Sequence, residues 1–256
     1  MNSPQPAADM AVLTLHYVFD PLCGWCYAAA PLVQAARSVP GLRVQFHGGG
    51  MMTGANRRAI TPQWRDHVMP HDQRIAELTG QPFGQAYFEG LLRDTGAVMD
   101  SAPPITAVLA AEAVAGRGLD MIERVQRAHY VEGRRIAELP VLQALAEELE
   151  LPAQPFAQAL QRLTGAATQA HIAESRQWLA RAQGSGFPTF ALEGSGGTLK
   201  GFDTGHWLGR PPAWRAHLQQ LVQEAQALRA PAAAEPASPP ADAARGDACD
   251  ERGCAL

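Results

Sequence analysis

The sequence predicts an α/β fold split into two parts: a strand–helix–strand unit near the start, a strand–strand–helix unit near the end, and a long helical block between them. Three observations lead there. An apolar run from Val12 to Phe19 is followed by a helical pattern and then by the alternating stretch Leu42-Arg43-Val44-Gln45-Phe46. From about Met52 to Gly184 no stretch has a good strand pattern, and apolar residues recur at helical spacing. Strand signals return at Phe187 to Leu192 and Thr198 to Phe202, on either side of the turn Glu193-Gly194-Ser195-Gly196-Gly197.

The first strand, Val12 to Phe19, ends at Asp20-Pro21. Gly24 to about Ser38 reads as a helix kinked at Pro31, because proline removes an N–H and crowds the preceding turn. Pro40-Gly41 turns the chain into the second strand, and Gly48-Gly49-Gly50 ends that unit. Helical patterns then cover Pro82 to Leu92, Pro104 to Gly116, Leu119 to Ile136, Pro140 to Leu149, Pro155 to Leu163 and Thr168 to Gln183, with glycine and proline at the joins. A last helix, Pro212 to Leu228, keeps Trp214, Leu218, Leu221, Val222 and Ala225 on one face. From Ala230 the chain is rich in proline and alanine, has almost nothing to bury, and reads as a disordered linker. The expected organisation is therefore 10–50 and 185–229 as two parts of one α/β domain, 51–184 as a helical insertion, and 230–256 as a tail.

A chain of 256 residues, 46% hydrophobic and 18% charged, can bury a full core. A net charge of −4 without a basic block argues against nucleic acid or an anionic membrane as main partner. No apolar run is long enough to span a bilayer, and no secretory signal is visible, so a cytoplasmic location is expected. The four cysteines form two close pairs, Cys23/Cys26 and Cys249/Cys254, which is unlike a structural disulfide framework. In a reducing compartment such pairs are catalytic, redox-sensing or metal-binding more often than structural.

The first pair carries the functional argument. Cys23-Gly24-Trp25-Cys26 sits where a strand gives way to a helix, so the two thiols can close a disulfide within one helical turn. Cys23 also faces free backbone N–H groups and the positive end of the helix dipole. Both favour thiolate, the nucleophile of disulfide exchange. Asp20 reads as a turn residue before Pro21, with a proton relay to Cys26 as the alternative. Trp25 offers an aromatic surface for a substrate or packs in place.

Phe19-Asp20-Pro21-Leu22-Cys23-Gly24-Trp25-Cys26-Tyr27, together with Gly186-Phe187-Pro188-Thr189-Phe190, resembles the motifs of the DsbA family, and most of all its FrnE-like cytosolic branch. The resemblance extends from about Val12 to Leu228. It implies an α/β thioredoxin fold (βαβ…ββα) with a large helical insertion. By position, Cys23 is then the exposed attacking thiolate, Cys26 the resolving thiol and Pro188 a cis-proline facing them. A cis bond there turns the backbone of Phe187 outward to pair with an extended substrate strand. The implied activity is that of a thiol–disulfide oxidoreductase or isomerase, with thiols and disulfides of proteins or small molecules as partners and no cofactor. FrnE-like proteins also carry a second, C-terminal Cys-x4-Cys pair. A linker of about twenty residues spans roughly 25 Å, enough for Cys249 and Cys254 to visit the face bearing Cys23 as a secondary redox pair. An inert tail or soft-metal capture is the alternative.

Other motifs are set aside. His47-Gly48-Gly49-Gly50 resembles an esterase oxyanion loop, but the chain has no Gly-x-Ser-x-Gly, so a flexible junction is expected. His67 and His71 have metal-ligand spacing, yet Pro70 is expected to interrupt the helix that would align them, leaving surface histidines and no metal. The glycines from Gly194 to Gly197 precede a strand and form a turn, not a phosphate cradle. Two alternatives remain: an enzyme like the kappa-class glutathione transferases or 2-hydroxychromene-2-carboxylate isomerases, which resemble this chain less because they carry serine where Cys23 stands, and a non-enzymatic thiol- or metal-binding protein.

Overall fold

The computed structural model describes residues 13–194 and 196–229. Strand β1 (Leu13–Phe19) turns into α1 (Gly24–Ala28) and α2 (Ala30–Arg37), and β2 (Leu42–Gly48) follows. The two helices are the kinked helix of the sequence reading, broken at Ala29. Pro31 has no N–H to give the Tyr27 carbonyl, and the side-chain amide of Gln81 donates to that oxygen at 2.8 Å.

The intervening block contains β3 (Arg58–Ala59), α3 (Pro62–Thr79), β4 (Val98–Met99), α4 (Ala102–Ala115), α5 (Gly118–Tyr130), α6 (Leu139–Glu148), α7 (Ala153–Leu163) and α8 (Ala166–Arg181). Three features correct the sequence reading. Helix α3 runs unbroken through Pro70, whose ring lies on the exposed side, so His67 and His71 do share one helix, with ring centroids 5.2 Å apart. The stretch expected as a helix from Pro82 to Leu92 is instead a π turn (Ala86–Gly90) and a 3-10 turn (Leu91–Arg93). Close packing starts that departure: Gly84 lies so near the end of α5 that a Cβ would be 1.9 Å from the Val131 carbonyl. Finally, β3 and β4 form a small antiparallel ribbon where no strand was expected, since two residues per strand leave no periodicity to read.

The chain then returns as β5 (Thr189–Glu193), β6 (Leu199–Gly201), the short α9 (Thr204–Trp207) and α10 (Pro211–Arg229). The main sheet has the order β2-β1-β5-β6, with β1 parallel to β2 and antiparallel to β5. Tyr17 at its centre is flanked by Phe46 and Phe190. Because side chains alternate along a strand, β1 serves two interfaces. Tyr17 faces α1, where its hydroxyl donates to the Cys26 carbonyl at 3.2 Å. His16 faces the other way, stacked on Trp178 of α8 at 4.0 Å and hydrogen-bonded to His47 at 2.9 Å. Helix α10 packs against α2 and buries Trp214 beside Phe190 and Phe202. No helix among the described residues is long and apolar enough to cross a membrane.

Candidate functional site

The two thiols of the sequence reading stand at the head of α1, at the edge of the buried core. Cys23 is the N-cap residue of α1, with extended backbone (φ −95°, ψ 114°), and its carbonyl accepts the N–H groups of Cys26 and Tyr27. The Cys23 N–H closes the preceding turn on the Asp20 carbonyl at 3.2 Å. The Phe187–Pro188 peptide bond is cis. It sets the Phe187 carbonyl where the Cys23 thiol donates to it at 3.4 Å. Residues more than 160 positions apart thus meet at one sulfur. Cys23 is only 7% exposed, so it is less open than the sequence reading expected and is reached through a cavity.

Cys26 is fully buried, and burial first, then its hydrogen bond to Cys23 and the charge there, pushes its thiol well above the usual range. The Asp20 N–H points at its sulfur across 3.4 Å and acts in the opposite direction. Asp20 does form the turn expected of it, with Oδ1 accepting the Leu22 N–H at 2.9 Å. Its carboxyl also accepts from the Ser101 hydroxyl and the Met51 N–H. Entirely without solvent contact, Asp20 is pushed up to about 6 by burial, against the pull of those hydrogen bonds. A carboxyl that changes charge near neutrality therefore sits behind the buried thiol.

The cavity in front of Cys23 has a volume of about 270 Å³. Half-buried Trp25 lines it with Trp64, Tyr87, Met99 and Tyr130, and the exposed His67 and His71 stand at its rim. Inside lies Asp72, 6% exposed, whose Oδ2 accepts from the Tyr87 hydroxyl at 2.7 Å. Burial pushes Asp72 up to about 6 as well, while that hydrogen bond and the neighbouring His71 lower it. Its Oδ1 rests on Gly24, where an added Cβ would lie 2.6 Å away. Gly24 within the dithiol motif is thus the residue that lets α3 approach.

The glycines after β2 are packed rather than flexible. Gly49 lies flat against Phe187, and a Cβ on it would be 2.2 Å from the ring. Arg176 of α8 donates to the carbonyls of Gly49 and Gly50 at 3.0 and 2.8 Å. A second cavity, about 590 Å³, adjoins Pro188 between the end of α8 and the β6–α9 connection.

Sequence reasoning singled out Cys23, Cys26, Trp25, Phe187 and Pro188, and all five lie around this site. Cys249 and Cys254 lie outside the described residues. Asp72, Tyr87, Gly49 and Arg176 were missed. Asp72 did leave a signal: it occupies the apolar stripe Trp64, Val68, Asp72, Ile75 at helical spacing, where a lone acid marks a buried carboxyl.

The model of the DSBA-like thioredoxin domain matches residues 14–209. The chain belongs to the DSBA-like thioredoxin domain family. Among solved structures it is similar to the cytosolic disulfide reductase DsbM from Pseudomonas aeruginosa, with 57% identity over 82% of this chain and 99% of that one, at a TM-score of 0.78. The same protein with GSH matches at 55% identity, over 82% of this chain and 99% of that one, with a TM-score of 0.76. 2-Hydroxychromene-2-carboxylate isomerase, at 17% identity, 84% and 98% coverage and a TM-score of 0.52, shares the fold. No match was found among curated proteins. Family membership, the 57% identity to a disulfide reductase and the Cys23-Gly24-Trp25-Cys26 dithiol together make this chain a thiol–disulfide oxidoreductase.

Proposed function

We propose that this oxidoreductase works as a cytoplasmic disulfide reductase, with Cys23 as the attacking thiol, Cys26 as the resolving thiol and Asp20 as the proton acceptor for Cys26. The observation that carries this reading is the asymmetry of the pair: Cys23 opens on a cavity, while Cys26 is sealed behind it, with the Asp20 N–H at its sulfur and the buried Asp20 carboxyl close enough for its charge to act on the thiol. Cys23 thiolate attacks a substrate disulfide, forms a mixed disulfide and expels one thiolate, which takes up a proton. Cys26 then gives its proton towards Asp20 and attacks the Cys23 sulfur. The second substrate thiolate leaves, and Cys23 and Cys26 are joined. Two electrons have passed from the dithiol to the substrate. Two equivalents of an external thiol return the pair to its reduced state.

Trp25, Phe187 and Pro188 form the substrate platform, with the Phe187 carbonyl beside the reacting sulfur. The reductive direction and the cytoplasmic setting are supported by similarity to DsbM, and the structure of that protein with GSH supports a small-molecule thiol or its disulfide as a partner. The deciding measurement is the reduction potential of the Cys23–Cys26 couple. A value near thioredoxin's, about −270 mV, supports a reductase, and one near DsbA's, about −120 mV, reverses the direction. A Cys23→Ser variant that reduces insulin as fast as the unmodified chain removes the reading altogether.

A further inference from the structure

Beside the Cys23 cavity, and sharing Trp64 and His67 with it, lies a shallow cleft of about 580 Å³ lined also by Arg57, Arg58, Thr61 and Gln63. Charge across the two is uneven. At the inner end Asp72 is turned inward, Oδ2 held by Tyr87 and Oδ1 against Gly24. Among the described residues, no carboxylate lines the outer cleft. Arg57 is already paired, its Nε 2.7 Å from Asp100. Arg58 has no carboxylate partner among the described residues, and its guanidinium lies over the Trp64 ring at 4.6 Å. A guanidinium stacked on an aromatic face keeps its in-plane donors directed outward, in a fork that matches a carboxylate.

Arg58 is also firmly placed. Its backbone pairs with Met99 across the β3–β4 ribbon, and Met99 is part of the Cys23 cavity wall. Trp64 is fixed at the start of α3, where its backbone N–H donates to the Thr61 hydroxyl at 3.1 Å. His67, one turn further on, adds a polar ring 5.7 Å from Trp64.

We propose that Arg58, seated on Trp64, is a carboxylate-binding group of the disulfide site, and that the preferred substrates are small disulfides bearing carboxylates. This rests on the thiol–disulfide reading above and adds what selects the substrate. The carboxylate pairs with Arg58 while the disulfide lies along the cavity to Cys23. The Cys23–sulfur bond forms as the substrate S–S bond breaks, and the departing thiolate takes a proton from solvent. Cys26 then displaces the retained half, so the dithiol loses two electrons and one disulfide becomes two thiols.

The test uses the pre-reduced full chain and three symmetrical disulfides: dithiodipropionate, with two carboxylates, neutral hydroxyethyl disulfide, and cystamine, with two ammonium groups. Formation of the Cys23–Cys26 disulfide is read by mass after alkylation, and each rate is divided by that of free dithiothreitol with the same compound. At low salt the dianion is expected to exceed the neutral disulfide by about fivefold, the scale of one exposed ion pair, with the dication slowest. That ratio falls towards one in Arg58→Gln, largely survives in Arg58→Lys, and shrinks at high salt. A ratio at or below one in the unmodified chain, or an unchanged ratio in Arg58→Gln, overturns the assignment of Arg58 and leaves the reductase reading standing. Failure to react with all three overturns the reductase reading, and this inference with it.

Discussion

The main-chain N–H of Asp20 points at the Cys26 sulfur across 3.4 Å, while the carboxyl of the same residue is held in the protein interior by Ser101 and the Leu22 and Met51 amides. One residue thereby meets the resolving thiol through its backbone and keeps a titratable group close to it. Burial pushes that group to about 6, so it is largely ionised and able to accept a proton at neutral pH.

Replacing Asp20 with Asn tests that role. Resolution of the mixed disulfide is expected to slow by roughly a hundredfold, the lower end of what a positioned acid–base group supplies. The unmodified chain should show a rise in resolution rate as pH increases through about 6, where Asp20 loses its proton, and Asp20→Asn should lose that rise. Stability moves the other way. The folded pKa lies above the unfolded one, so the penalty of a buried charge is absent below about pH 4 and complete above about 6, and Asp20→Asn is expected to be the more stable protein at pH 8. Stopped-flow resolution of a mixed disulfide and urea titrations at both pH values check the two arms; a slower but equally pH-dependent variant would remove Asp20 from the proton path.

Gly24 and Asp72 are expected to be coupled. A Cβ at Gly24 would stand 2.6 Å from Asp72 Oδ1, an oxygen on a side chain fixed by Tyr87. Gly24→Ala should cost about 1–3 kcal/mol, the usual range for overpacking a core. The loss should be smaller in an Asp72→Ala background, and a double-mutant cycle measures the difference. Strict additivity would mean that α1 moves aside freely.

Gly49 and Phe187 offer a test of the substrate platform. A Cβ 2.2 Å from the ring has nowhere to go, so Gly49→Ala displaces Phe187 and with it the carbonyl beside Cys23. Reductase activity is expected to fall at least tenfold, the scale of a misplaced reacting group, with alkylation of Cys23 still possible. Restoration by Phe187→Ala in the same chain would confirm that the ring transmits the effect; a Gly49→Ala protein of full activity would sink the idea.

His129 is an acid liability. It is 2% exposed between Tyr87 and Tyr130, and burial lowers it to about 3, offset slightly by the backbone of Arg134. Below about pH 6.5 the unfolded chain binds a proton there that the folded chain refuses, so stability falls with acidification from 6.5 towards 3. His129→Phe is expected to raise the urea midpoint at pH 5 by more than at pH 8. An equal shift at both values would leave packing, rather than charge, as the cause.

Much of the architecture was legible because its signals are local. Cys23 caps and Cys26 lies within the helix that follows β1, Pro31 marks the break between α1 and α2, and glycines separate β5 from β6. The thioredoxin fold with inserted helices follows from those elements in that order. What escaped was set by packing. Helix α3 was hidden because Pro70 suggested an interruption and Asp72 broke its apolar stripe, and both are settled only by what lies beside them. The tail of glycines after β2 gives no hint that Phe187 and Arg176, far along the chain, close on it. Arg58 has meaning only once Trp64 is beneath it.

Arg176 reaches from α8 to the two carbonyls at the end of β2, and Asp72 reaches from α3 to the first residue after Cys23. The inserted helices therefore act as scaffolding bolted to the reactive end of the sheet from two sides. A minimal domain obtained by cutting out the inserted helices would keep the four strands of the main sheet and both thiols, yet lose the Arg176 and Asp72 contacts that pack beside them. Miniaturising this protein would yield a sheet with cysteines, stripped of the enclosure that tells one from the other.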